Sequence, residues 1–276
     1  MTIRLIVNAD DYGHTPGVSE GIRQAHLNGI VTTTTTMMNL PNALPALETA
    51  RVETPRLGVG VHLVLTHGTP IRPADRLKSL LTSAGEFPDL PYVRAMLSDM
   101  DAQELKDEWR AQIEAFLTTG LSIDHLDSHH HAACWSEMTL RVLFDLAEEY
   151  HVPIRHPFAP VAVFLKDNLR ESERVLQHRT FCEPLMQQSS VRYPERMIDD
   201  FYDAGVSADT LLRILDRLPE GSTSEVMVHP GIADDEIMQT STYHTMRQVE
   251  LDLLTDERVK QRVRDRGIEL ITFAEL

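Results

Sequence analysis

The chain has 276 residues, 42% of them hydrophobic and 25% charged, and carries a formal net charge of −16. That balance belongs to a globular protein with a large core, and an acidic surplus without any basic block excludes nucleic acid and anionic membrane surfaces as partners. Cys134 and Cys182 are the only cysteines, too few for a disulfide framework, so a reducing, cytoplasmic compartment is expected. The opening Met-Thr-Ile-Arg-Leu-Ile-Val is too short for a signal-peptide core, and no stretch approaches the ~20 apolar residues that a membrane helix needs.

Ile3 to Val7 reads as a buried strand, stopped by Asn8-Ala9-Asp10-Asp11-Tyr12-Gly13. Pro16-Gly17 opens a helix that Asn28-Gly29 closes. Val31 to Met38 is Thr-rich and strand-like, a helix follows near Ala43 to Ala50, and Leu57 to Leu63 is a third strand whose glycines permit close backbone approach. Residues 64–100 are loop-rich, with Pro70, Pro73, Pro88 and Pro91, and a loop this long suggests a lid over 64–92. A helix is expected from about Asp101 to Leu117, a fourth strand over Ile123 to Asp127, a helix from Ser136 to Tyr150 and a fifth strand over Val152 to Arg155. Residues 157–206 suggest short helices and a strand near Arg179 to Cys182. Leu211 to Leu218 reads as helix, Glu225 to Val228 as strand, Tyr243 to Arg264 as one helix or two, and Ile268 to Thr272 as the last strand.

Strand and helix thus alternate seven or eight times, the pattern of parallel strands joined by helices. No glycine-rich dinucleotide fingerprint follows the first strand, and no linker splits the chain. The expected fold is α/β, a distorted, TIM-barrel-like (β/α) barrel spanning 1–276 as one domain, with its active site at the C-terminal ends of the strands.

Those ends carry the chemistry. Asp10, Asp11, His62, His129, His131, Arg155 and His229 each lie where a strand becomes a loop. Imidazole and carboxylate are ordinary ligands for a divalent cation, and His129-His130-His131 closing one strand is hard to explain by packing. On an extended chain His129 and His131 would share one side and His130 would point away. One of that pair would suffice for a metal, leaving the other to hold substrate, while Asp127 orients a ligand histidine through its ring N–H. Of Asp10 and Asp11, one would hold metal and the other take a proton from water. His229 suits a general acid. Arg155 either pairs with Asp10 or binds substrate, and Trp135 either stacks on a sugar face or belongs to the core.

Ile6 to Gly13, Gly29-Ile30-Val31-Thr32-Thr33-Thr34, Gly60-Val61-His62-Leu63 with Leu65-Thr66, His125 to His131 and His229-Pro230-Gly231 resemble, in order and spacing, the YdjC-like carbohydrate deacetylases, which include chitooligosaccharide deacetylase. The resemblance covers most of the chain. It implies hydrolysis of the acetamide of an N-acetylated sugar by a water that a metal activates. It makes Asp11, His62 and His129 the ligands, Asp10 the base and His229 the acid; the residues themselves suggest His131, Arg155 and Trp135 as substrate contacts. It also implies magnesium, although two imidazoles and one carboxylate suit zinc better on chemical grounds. Self-association is a further implication. One departure is Ala133, where family members often carry another histidine; this bears on which sugar is used. The competing readings are a metal-dependent sugar isomerase or phosphodiesterase on the same barrel, and a carbohydrate-binding relative without activity.

Overall fold

The structure is a computed structural model and describes residues 2–157 and 173–276. In chain order it contains β1 (Ile3–Tyr12), α1 (Pro16–Asn28), β2 (Thr33–Thr36), α2 (Ala43–Glu53), β3 (Gly58–Leu63), α3 (Leu90–Met96), α4 (Ala102–Leu117), β4 (Leu126–Ser128) and α5 (Glu137–Tyr150). It continues with α6 (Glu173–Gln188), β5 (Arg196–Ile198), α7 (Ala208–Arg217), β6 (Thr223–Val228), α8 (Asp235–Thr240), α9 (Thr245–Leu254), α10 (Glu257–Asp265) and β7 (Ile268–Leu270). The strands run β4-β3-β2-β1-β6-β5 and every pairing is parallel. β1 is central. Its lower half pairs with β7 on the side that β2 occupies higher up, while β6 lines its other edge.

The sheet curls into a distorted half-barrel, the architecture expected from the alternation. Beyond β4 the ladder reduces to single links: Ile154 bridges Leu126, and the Ile154 amide donates to the Arg192 carbonyl (2.9 Å) on the way to β5. The inward-turned strands are buried on both faces, so they read as continuous runs rather than alternating ones. β2 is the polar exception. All four of its threonines are buried, and Thr33 and Thr34 donate to the Asn8 side chain and the Ala9 carbonyl at 2.6 Å each, which removes most of the penalty of burying a hydroxyl. Gly60 sits where its sequence context demanded: a Cβ there would stand 2.5 Å from the His125 carbonyl oxygen of the adjoining β4 approach. Among the described residues no helix is long and apolar enough to cross a membrane.

Three expectations need correction. The fourth strand is shorter and lies later, over Leu126–Ser128, because Asp124 is spent below it, accepting from the Phe273 and Ala274 amides at 3.3 and 3.1 Å. Val152 to Arg155 contributes one bridge residue, not a strand. The segment near Arg179 to Cys182 is inside helix α6: Cys182 and Leu185 are both buried, and a three-residue spacing is helical. The strand of that region is instead Arg196–Ile198. Tyr243 to Arg264 forms two helices, the second capped by Asp256. The long loop is tied down over part of its length. Glu108 of α4, fully buried, accepts from the Ile71 and Arg72 amides (3.0 and 2.9 Å), and Glu104 accepts from the Ser79 amide (2.7 Å).

Candidate functional site

β1 delivers two consecutive acids to one rim because the strand breaks register with β2 between Ala9 and Tyr12, and Asp11 takes the left-handed conformation (φ 72°). A regular strand would send the two side chains to opposite faces. Here both reach the C-terminal ends of the strands, and both are buried.

Asp11 meets His62 from β3 and His129 from the end of β4. Its Oδ1 lies 3.4 Å from His62 Nε2 and 3.3 Å from His129 Nδ1, and one ligand atom from each of the three residues falls within 4.8 Å of the others. His62 Nδ1 is 2.6 Å from Asp127 Oδ1, and Asp127 Oδ2 accepts from the Thr35 hydroxyl at 3.2 Å. With its Nδ1–H committed to Asp127, a neutral His62 turns the lone pair of Nε2 toward Asp11. Asp11 Oδ1 itself is buried and lacks a hydrogen-bond partner of normal geometry among the described residues. Lone pairs facing one another across 3.3–3.4 Å need a positive charge between them, so the donor set fits a divalent cation. The same surroundings favour positive charge in either form, a cation or a proton on Nε2: burial opposes a charged imidazole, yet Asp127 and Asp11 raise His62 to about 10, so cation and proton compete for one place. Burial also favours a neutral Asp11, but Arg247, His129 and His62 hold it well below the usual carboxylate range. The other oxygen of Asp11 is occupied by Arg247 Nη2 at 2.6 Å.

Asp10 is bound from the opposite side. Arg155 donates through Nη2 to Oδ1 (2.6 Å) and through Nη1 to Oδ2 (2.8 Å), and Asn8 donates to Oδ1 at 2.9 Å. The same guanidinium reaches Asp127 (3.0 Å) and, through Nε, Glu225 Oε1 (2.7 Å). Of the two roles open to Arg155, its charge is therefore spent on carboxylates, Asp10 among them. Burial works against the Asp10 charge, but Arg155 outweighs it and keeps the acid far below its ordinary range.

His229 follows β6 and brings Nε2 to 3.9 Å from Asp10 Oδ2. Its amide donates to Glu250 at 2.5 Å, and the Tyr202 and Tyr243 rings flank it at 5.2 and 5.7 Å. Burial lowers its pKa to about 4, so the ring is neutral near pH 7.

The histidine triplet does not run on as a strand. It enters a 3₁₀ turn over His129–Cys134, with His130 and His131 left-handed at φ 55° and 56°. The expected sharing of one side by His129 and His131 fails for that reason. His130 turns to the Thr66 hydroxyl (3.0 Å), and His131 is lowered to about 4 by burial and by Arg155. Trp135 carries the guanidinium of Arg94 over its ring at 5.2 Å. Sequence reading did not find Arg247, Glu225, Thr35 or the Tyr202–Tyr243 pair. Only Glu225 left a signal, as an acid inside an apolar strand.

The YdjC-like protein family matches residues 4–265. The chain belongs to this family. Among its YdjC-like relatives, a carbohydrate deacetylase from Enterococcus faecalis (strain ATCC 700802 / V583) is 35% identical over 278 residues, covering 99% of this chain and 98% of the relative. Another from Geobacillus stearothermophilus is 37% identical, covering 98% and 96%. A crystal structure from Enterococcus faecalis V583, described as a candidate cellobiose-phosphate cleavage protein, superposes with a TM-score of 0.89 at 33% identity over 100% of this chain and 99% of that one. A family 4 carbohydrate esterase from Streptomyces lividans, at 12% identity and a TM-score of 0.50, shares the fold alone.

Proposed function

We propose that this YdjC-like chain is a hydrolase that removes the acetyl group from an N-acetylated sugar or oligosaccharide, with Asp11, His62 and His129 holding a divalent cation, magnesium first and zinc second. The observation that carries the reading is the buried, unpartnered Asp11 Oδ1 between two imidazole nitrogens. The names of the relatives supply the substrate class. When bound, such a cation polarises an acetamide carbonyl and lowers the pKa of a water beside it.

The remaining work falls to the chain's own side chains. Asp10, ionised at any working pH because Arg155 grips it, accepts the proton that the attacking water gives up. Arg155 makes Asp10 a weak base, so a proton placed there passes on readily. The imidazole of His229 stands 3.9 Å from Asp10 Oδ2. Neutral at rest, it must gain a proton before it can give one, and Asp10 is the adjacent source. The pair then carries one proton from water to the departing amine while the new C–O bond forms and the C–N bond breaks, releasing acetate and the free amino sugar.

Asp10→Asn tests this. The variant should fold, keep the parent's affinity for magnesium or zinc, and release acetate roughly 10²–10⁴ times more slowly from N-acetylated sugars. Hydrolysis at the parent's rate would refute the assignment of the base. No acetate from any sugar of a broad panel, with either metal, would refute the activity.

A further inference from the structure

Four imidazoles form a row along the rim. The ring centroids of His62 and His129 are 5.4 Å apart, those of His129 and His67 6.4 Å, and those of His67 and His14 5.0 Å. His62 and His129 face Asp11. His14 and His67 have no part in the chemistry above, and His14 is conspicuous: it is buried, and neither of its ring nitrogens has a partner among the described residues. Buried polar atoms in proteins are almost always paired, so two unpaired nitrogens on one ring beside a reaction centre point to a missing ligand.

The backbone holds this pair in place. The His14 amide donates to the Asp11 carbonyl (3.0 Å), and the Asn42 side chain donates to the His14 carbonyl (3.2 Å). Before it, Gly13 is left-handed (φ 83°) and packed so that a Cβ would stand 2.8 Å from Ala43 Cα. The Asn39 side chain holds the His67 carbonyl at 2.8 Å. Both asparagines come from the connection between β2 and α2, so one short loop positions both histidines.

Chemistry narrows the ligand. A neutral imidazole has one N–H and one lone pair, and a hydroxyl can satisfy either in either tautomer. A cation would need a third ligand, and neither ring joins a three-ligand cluster among the described residues. An anion only accepts, so it would leave the lone pair of each neutral ring facing negative charge, whereas a hydroxyl both donates and accepts. We propose that His14 and His67 form a subsite for hydroxyl groups of the sugar that bears the acetamide, and so decide which N-acetylated sugar the chain accepts. This rests on the deacetylase reading of the neighbouring centre.

The experiment compares the parent with His14→Phe and His67→Phe, and with His14→Gln, which restores a donor and an acceptor. Equilibrium binding is measured for magnesium and zinc alone, for N-acetylglucosamine oligomers and their single-deoxy analogues, and for inorganic phosphate, alongside acetate release. The expected result is cation affinity within about twofold of the parent and sugar affinity about tenfold weaker in the Phe variants. The loss should appear in KM rather than kcat. The parent should discriminate against one deoxy analogue about tenfold or more, the Phe variants should not, and His14→Gln should recover part of the discrimination. Tenfold loss of cation affinity, loss of phosphate rather than sugar binding, or equal preference for sugar and deoxy analogues in parent and variant would each overturn the proposal. Because binding is read without turnover, failure to release acetate would defeat the activity while leaving this comparison intact.

Discussion

Arg155→Met removes the guanidinium that faces Asp10, Asp127 and Glu225 while keeping a straight chain in its place. Arg155 is only 5% exposed, so water cannot replace it, and three buried carboxylates are left without that charge. Removing one partner of a buried ion pair costs about 3–5 kcal/mol, a large part of the roughly 5–15 kcal/mol that holds a typical protein folded. An unfolding entropy of roughly 0.6 kcal/mol/K, expected at this size, converts this to a fall in Tm of about 5–8 °C. The pH dependence follows from the carboxylates. Burial raises Glu225 above its ordinary 4.5, with Arg155 the main counterweight; such a group stabilises the fold below 4.5 and loses that contribution as the pH rises through its raised value. Without Arg155 it moves further up. Asp10 and Asp127 are lowered in the parent, so they stabilise the parent above their ordinary 3.8, a contribution lost as the pH falls through their lowered values. The aspartate contribution is complete at both pH 5 and pH 8, so it is the further rise of Glu225 that makes the deficit of the variant larger at pH 8 than at pH 5. Thermal unfolding followed by circular dichroism with chelator present, at both pH values, reads this directly. Adding Glu225→Gln to Arg155→Met should return part of the loss, since one fewer buried charge remains. A Tm within 1–2 °C of the parent (about 1 kcal/mol or less), or an equal deficit at both pH values, would refute the reasoning.

Two further substitutions probe the scaffold. Gly60→Ala places a methyl 2.5 Å from the His125 carbonyl oxygen, a backbone atom that cannot move aside, and should destabilise by about 1–3 kcal/mol in denaturant unfolding; parent-like stability would show that β3 and the approach to β4 are not closely apposed. Glu108→Ala removes the acceptor of the Ile71 and Arg72 amides, and hydrogen exchange at those amides should quicken about tenfold or more without added sugar. Unchanged exchange would mean that the loop is held elsewhere.

The convergence of Asp11, His62 and His129 was legible because such residue types are out of place at the ends of β-branched runs. His62 closes Gly-Val-Gly-Val, and Asp10-Asp11 closes Ile-Val-Asn-Ala. Roles were harder to read than membership. Nothing local says that Asp11 is left-handed, or that His130 and His131 are, and those backbone angles decide which side chain reaches which partner. Arg247 lies on a helix far along the chain and becomes visible only when α9 packs against α1 and the guanidinium reaches Asp11. Thr180-Phe181-Cys182 favours a strand by local composition, yet the spacing of Cys182 and Leu185, which tertiary packing rewards, makes it helix. His14 gives no local signal, because a histidine in the polar turn after Asp10-Asp11-Tyr12-Gly13 is unexceptional.

The central position of β1 has a consequence for biogenesis. β1 leaves the ribosome well before its partners β6 and β7. At 5–20 residues per second, translation takes on the order of 10–40 s to bring Thr223 out to Arg4. For that interval Ile3 to Leu5 is a mostly apolar ribbon with both edges unclaimed, the period in which a nascent chain is most open to holdase chaperones and to misassociation with its neighbours on a polysome.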